Sequence, residues 1–546
     1  MKNPISIFLL IPLIAASAIA TEPIPIGSRL ELMVDDTLID ESSGLERRLH
    51  RPTPHEVAII HDEPWEGNSS GYHTVFQDGE LYRMYYRGHQ YVVKEDEFGG
   101  GHREVVCYAE STDGVHWTKP KLGLVDWEGS KENNIIWDGS GSHNFTPFVD
   151  TNPDCKPDEK YKALGGIDDG LFTFKSADGI HWSQLAEKQV ITQGAFDSQN
   201  VGFWDAARGR YAAYFRTFTK VNEKSVRSIA MTTSPDFVNW EAPVALEYPG
   251  APIEQLYTNQ VIPYYRAPHL LLGFPTRYVD RPLTEHVKTV DPVDLRSLLL
   301  KAYERCGTDL TDGVFMTSRD GVKFNRWAEA FLRPGLQQKG NWIYGDMYQN
   351  WGIVETRWDA SGEQVEDLEN LEVPNELSIY VSEGAWRTGE TRQRRYTLRI
   401  AGFVSLQARF SGGEFTTVPI TFEGKELAMN YSTSAAGSVR VELQDEEGKA
   451  IEGYALNDCP EVYGDSIEQV VRWNKGSDVA ALAGKPVRLR FAMKDADLYS
   501  FRFRESGCGR VGRPAHSGGR DNTLKRELRT GAGGVVSRPP HPPLNP

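Results

Sequence analysis

Three carboxylates stand where chemistry could be done. Glu66 lies in Pro64-Trp65-Glu66-Gly67-Asn68, Asp197 in Ala195-Phe196-Asp197-Ser198-Gln199-Asn200, and Glu254 in Ile253-Glu254-Gln255-Leu256-Tyr257-Thr258-Asn259. Each precedes a short strand-like run: Tyr72–Phe76, Val201–Trp204 and Val261–Tyr264. Two carboxyl groups facing a glycosidic bond can cleave it, one as acid and the other as base or nucleophile. The same side chains could also bond loop backbone or cap a turn.

Further polar groups lie close to these runs: His73, Arg87, Asn144, Asn200, Arg216, Tyr257, Arg277, Asp346 and Tyr348. They are the expected substrate-binding set. An Arg aimed into a pocket grips a carboxylate, a sulfate or a sugar hydroxyl, or it pairs with a structural acid. The Asp35-Asp36 pair stands in a lead-in strand and suits closure of the fold or a structural calcium; no other cofactor is expected. There is no His-x-x-x-His pair and no Gly-rich phosphate loop; Gly67-Asn68-Ser69-Ser70-Gly71 fits the letters of Gly-x-Ser-x-Gly but leads into the strand-like run Tyr72–Phe76, so it is no strand-to-helix elbow. Metal hydrolysis, nucleotide use and serine hydrolysis therefore have no support.

Such scattered residues need a fold that gathers them, and an internal repeat supplies one. Ser111-Thr112-Asp113-Gly114-Val115-His116-Trp117 recurs as Ser176-Ala177-Asp178-Gly179-Ile180-His181-Trp182. A degraded copy is Ser234-Pro235-Asp236-Phe237-Val238-Asn239-Trp240, and a fourth is Ser318-Arg319-Asp320-Gly321-Val322-Lys323-Phe324. Asp-Gly makes a tight turn with Gly at positive φ, and the Ser and Asp side chains can lock it through nearby N–H groups. These Asp residues read as turn locks on an outer rim, not as catalytic groups. The steps from Trp117 to Trp182 and from Trp182 to Trp240 each suit one four-stranded blade with long loops. A further hairpin at Gln77-Asp78-Gly79-Glu80 precedes the first copy. The expected fold is all-β: a five-bladed β-propeller over residues 28–405, then a β-sandwich over 410–504. A helix is expected at Pro292–Arg305 and a surface loop over 358–373.

Composition narrows the partners. The net charge of −16 and pI of about 5.4 argue against nucleic acid and against a polybasic membrane patch. The 13 Trp, 23 Tyr and 23 Phe suit both β cores and sugar-stacking sites. Residues 1–20 read as a signal peptide ending in Ala18-Ile19-Ala20, so a secreted or periplasmic monomer without a later membrane span is expected. The five Cys show no CxxC spacing and read as structural or free. Residues 505–546 turn basic and rich in Gly and Pro, and read as a disordered tail.

The repeated Ser-x-Asp-Gly-x-x-Trp units, Phe196-Asp197-Ser198-Gln199-Asn200 and Arg395-Tyr396-Thr397-Leu398-Arg399 resemble a group of secreted bacterial proteins. That group is similar to glycoside hydrolase family 32 and to the arabinanase-like families, and the resemblance covers about residues 28–503. It implies a five-bladed propeller followed by a sandwich. It also implies Glu66 as nucleophile or base, Asp197 as stabiliser of the transition state and Glu254 as acid. The Trp-x-Asn-Asp-Pro-Asn-Gly motif of the invertases is absent, so fructan specificity is not implied. The expected function is glycoside hydrolysis of a poly- or oligosaccharide; the alternative is a propeller that binds glycans without cleaving them.

Overall fold

The computed structural model describes residues 22–357 and 375–507. The expected signal peptide, the acidic stretch 358–373, Cys508 and nearly all of the expected tail lie outside the described residues.

Residues 53–398 build five four-stranded antiparallel sheets in chain order. Sheet I runs Gly71–Asp78, Leu81–Gly88, Val105–Ser111 and Ile135–Trp137. Sheet II begins at Thr146–Val149, sheet III at Val201–Asp205, sheet IV at Ile262–Tyr264 and sheet V at Val354–Arg357. The fourth strand of sheet V is Thr53–Ile60, from the start of the chain, paired with Arg392–Leu398. Arg395 reinforces that join by bonding both Glu56 (3.2 Å) and Glu376 (2.9 Å).

The sheets bury both faces, as strict alternation allows. On sheet I, Tyr86 and its partner Cys107 face Val354 and Tyr380 of sheet V. Their neighbours Tyr85 and Tyr108 face Tyr161 and Phe174 of sheet II. Leu272 of sheet IV shares a core with Leu377 and Val381 of sheet V. Sheet V thus packs back on sheet I, and Leu164, Phe203 and Leu271 join sheets II, III and IV in one core. Each fully buried large apolar side chain contributes roughly 1.5–3 kcal/mol to this packing.

The repeated turns form as their residues dictate. Asp113 Oδ1 accepts from Val115 N and His116 N, both at 2.8 Å, and Gly114 N donates to Ser111 Oγ at 2.9 Å. The copies at Asp178, Asp236 and Asp320 repeat the pattern. The third copy has Phe237 where the others have Gly, and holds it at φ 66°. A tyrosine from the preceding sheet caps three of the turns. Tyr85 donates to Gly179 O, Tyr214 to Gly321 O and Tyr380 to Gly114 O. The motif therefore fastens sheet to sheet as well as turning the chain.

At the other edge the sheets meet through polar side chains. Trp351 N donates to His73 O and Val75 N to Trp351 O, tying sheets I and V. Gln199 Nε2 reaches His73 O at 3.0 Å. Gln260 Nε2 bonds Gln199 Oε1 and Gln349 O, at 2.6 and 2.8 Å. Asn144 Nδ2 donates to the carbonyls of Phe196 and Ser198, both at 2.7 Å. The entries to all five first strands are thus brought together.

Five C-terminal strands and three from the start of the chain pair as one eight-stranded antiparallel sheet around Phe415, Phe491, Phe501 and Trp473. Its longest members, Glu426–Gln444 and Arg488–Arg504, break register between Thr433 and Ser438. Glu31–Leu32, Ile39–Ser43 and Leu45–Leu49 join this sheet, although chain order suggested that residues from 28 onward belong to the preceding body. The reason is long-range pairing that no local pattern announces.

Closure falls to Thr53–Ile60 and not to the strand beside Asp35-Asp36. Asp35 is paired to Arg319 and Asp36 to Arg47, each at 2.6 Å. Among the described residues no group of three or more His, Cys, Asp or Glu could hold a metal ion. Of the described residues, no helix is long and apolar enough to cross a membrane.

Candidate functional site

A cavity opens where the first strands converge. Its floor is the turn Asn68–Tyr72 with Arg87 and Asp197; its walls are Tyr257, Tyr344, Tyr348 and Trp386. The expected helical insert forms as Val293–Ala302 and Glu304–Thr308, and brings Tyr303 and Arg305 to the rim. Leu295 and Leu299 seat that insert, and buried Arg296 bonds the carbonyls of Val290, Gly307 and Trp342. The hairpin of Tyr91–Lys94 and Glu97–Gly100 packs against the insert, with Phe98 5.1 Å from the Tyr303 ring, and adds Tyr91 and Phe98 to the lining.

Three non-glycine residues at strand entries adopt left-handed backbone: Tyr72 (φ 53°), Gln260 (φ 46°) and Met347 (φ 63°). Each costs about 1–3 kcal/mol, held by the surrounding network. At Tyr72 the twist sets the ring beneath Arg87, whose guanidinium carbon lies 4.8 Å from the ring centre. Burial pushes the hydroxyls of Tyr72, Tyr344 and Tyr348 well up, so they remain protonated and can donate to a ligand.

Asp197 is the lining carboxylate with real access: its side chain is 52% exposed. Its oxygens lie 3.3 Å from Arg216 Nη2 and 3.4 Å from His143 Nε2. Burial would raise its pKa, but the hydrogen bond from His143 and the Arg216 charge outweigh it and hold the carboxyl below the usual range. His143 is steadied on its other nitrogen by Glu104 at 2.8 Å. The second lining acid, Glu383, is 5% exposed and accepts from Arg392 Nε and Arg394 Nε at 3.1 and 2.7 Å.

The other two expected acids are elsewhere. Glu66 is fully buried behind the floor, accepting from Tyr86, Lys119 and Glu63 N at 2.6, 2.7 and 2.9 Å. Burial pushes its carboxyl up, against the opposing Lys119 charge. Glu254 is clamped by Arg277 at 2.7 Å and Arg326 at 2.5 Å. Neither lines the cavity, so the three carboxylates do not assemble. The cause is the same in both: each found a cationic partner far away in sequence.

The expected binding set divides likewise. Arg87, Tyr257 and Tyr348 line the cavity, and Arg216 stands behind Asp197 with its guanidinium 5.0 Å from the Tyr257 ring. His73 is buried against His61, Nε2 to Nε2 at 3.0 Å. Asn144 and Asn200 both brace the Phe196–Ser198 carbonyls beneath Asp197. Arg277 spends its charge on Asp312 and Glu254. Asp346 is buried and accepts from Ala385 N at 3.0 Å. His143, Arg305, Arg392 and Trp386 were not anticipated. A usable signal for Arg305 was its place beside Tyr303 at the end of the inserted helix.

No family model matches the chain. An uncharacterized protein of Mycobacterium tuberculosis is 29% identical over 144 residues, which is 25% of this chain and 40% of that protein's length. The solved structures to which the chain is similar include a glycoside hydrolase at 12% identity and TM-score 0.38, covering 64% of this chain and 92% of that one. An endo-arabinase from Bacteroides thetaiotaomicron is 10% identical at TM-score 0.36, covering 63% and 98%. A fructofuranosidase from Schwanniomyces occidentalis is 11% identical at TM-score 0.36, covering 82% and 96%.

Proposed function

We propose that the chain is a glycan-binding protein whose cavity seats a sugar between Asp197 and the aromatic wall. The observation that carries this is the pairing of one accessible, ionised carboxylate with Tyr257, Tyr348 and Trp386 in a single cavity. Aromatic faces cover the apolar face of a sugar ring, and a carboxylate with protonated phenols satisfies its hydroxyls. In this reading the five sheets are the blades of a β-propeller, the eight-stranded sheet is a sandwich folded on itself, and the mature protein is exported.

A second reading is glycoside hydrolysis, favoured by Asp197 itself. An ionised carboxylate open to the cavity can act as base or nucleophile at an anomeric carbon. Glu66 and Glu254 take no part in it, because their oxygens are engaged away from the cavity.

A glycan array followed by a product-release assay tests both. Binding without released product supports the first reading; release lost in Asp197→Asn supports the second. An array on which wild type retains no glycan would overturn both.

A further inference from the structure

The charges around the cavity do not cancel. Asp197 is met by Arg216 and His143, and Glu383 by Arg392 and Arg394. Arg305 has only a long ion pair. Its guanidinium makes no hydrogen bond among the described residues, and its nearest acid, Asp309, lies at 3.8 Å. Asp309 is already taken by the Tyr278 hydroxyl and by Thr308, and burial pushes its carboxyl up. Arg305 instead lies over aromatic rings, 4.8 Å from the Tyr344 centre and 5.5 Å from that of Tyr278.

Two more guanidinium groups lie close by. Arg227 sits 4.4 Å from the same Tyr278 ring and bonds only the neutral amide of Gln255, at 2.5 Å. Arg87, 8% exposed on the floor, stands 3.6 Å from Glu104, and its buried Nε has no hydrogen-bond partner among the described residues. Arg305 and Arg87 thus face one cavity in a chain of net charge −16. Stacked guanidinium holds its plane fixed and offers paired N–H groups, the geometry that takes a carboxylate or sulfate in two hydrogen bonds.

We propose that the cavity selects an anionic saccharide, with Arg305 receiving its carboxylate or sulfate group. This rests on the glycan-binding reading above. The inserted helix then supplies specificity to the site that the five sheets form.

The test is calorimetric titration with four tetrasaccharides of known composition: galacturonate, a sulfated galactan fragment that carries no carboxylate, maltotetraose and xylotetraose. Wild type is expected to prefer an anionic probe, and the carboxylate and sulfate arms identify which group it takes. Arg305→Gln should lower that affinity about tenfold or more, the loss typical of a charge-assisted hydrogen bond. Binding of neutral probes should stay within about twofold, and Arg305→Lys should recover part of the loss. If neutral probes bind as tightly as anionic ones, the charge selectivity is wrong; if Arg305→Gln leaves anionic binding intact, the assignment to Arg305 is wrong; in either case the glycan reading stands. If no probe of either kind binds, both fail. Should Arg305→Gln not fold, the wild-type preference decides alone.

Discussion

Asp197 Oδ2 lies 3.3 Å from Arg216 Nη2, and the same Arg216 donates through Nε to Ala195 O at 3.1 Å. One guanidinium therefore fixes both the carboxylate and the backbone that carries it. The arrangement predicts that Arg216→Met displaces Asp197 and weakens saccharide binding about tenfold or more. Arg216→Lys should recover little, because a single ammonium cannot serve both bonds. Titration of the two variants against one bound glycan checks this.

Asp197 also sets an acid limit. Its folded pKa lies below the ordinary carboxylate value, so the ionised form persists as pH falls from neutral through the usual carboxylate range. Glycan affinity that depends on this carboxylate should stay flat down to about pH 4 and drop only below it. In Asp197→Asn that drop should vanish. Titrations at stepped pH read the difference.

The tyrosine that caps a neighbouring turn should matter for stability alone. Tyr214→Phe removes the donor to Gly321 O and leaves a buried carbonyl short of a partner, a loss of about 1–3 kcal/mol. Denaturant melts should show it, while glycan affinity stays unchanged because Tyr214 lies away from the cavity.

His61 and His73 press Nε2 to Nε2 in the core, each with an Nδ1 that has no partner among the described residues. Burial lowers His61 to about 3 and His73 well below its usual value. The unfolded chain binds more protons than the folded one between those values and about pH 6.5, so stability rises with pH across that window. Melts should therefore weaken from pH 7 to pH 5. His61→Gln should flatten that slope, even at some overall loss from repacking.

The helical insert should be separable from the sheets. Arg296→Met deprives three backbone carbonyls of their donor and releases the segment that carries Arg305. Limited proteolysis should then cut within 281–308, with the sheets still intact and anionic glycan affinity reduced.

The sheets were legible because their signals are local. Ser-x-Asp-Gly turns and alternating apolar residues announce each hairpin within a few positions, and Pro292–Arg305 carries helical spacing. The strand that completes sheet V was not legible, since Thr53–Ile60 pairs with Arg392–Leu398, as the 339-residue separation of Arg394 and His55 shows. The site was legible in part for the same reason. Asp197, Arg87, Tyr257 and Tyr348 reach the cavity because they sit at or near strand ends. Glu66 and Glu254 have equally suitable positions. Their fate was decided by Lys119, 53 residues on, and by Arg277 and Arg326, 23 and 72 residues on. A sequence shows where a carboxylate starts, but its charge partner depends on sheets that pack only after the chain has closed.

The most direct measurement is a crystal structure of the protein soaked with a saccharide that it retains on an array. The account predicts a sugar ring against Tyr257, Tyr348 or Trp386, with a hydroxyl within hydrogen-bond reach of Asp197. A saccharide bound on the C-terminal sheet, or on the outer rim beside the Asp113 and Asp178 turns with the cavity empty, would contradict it.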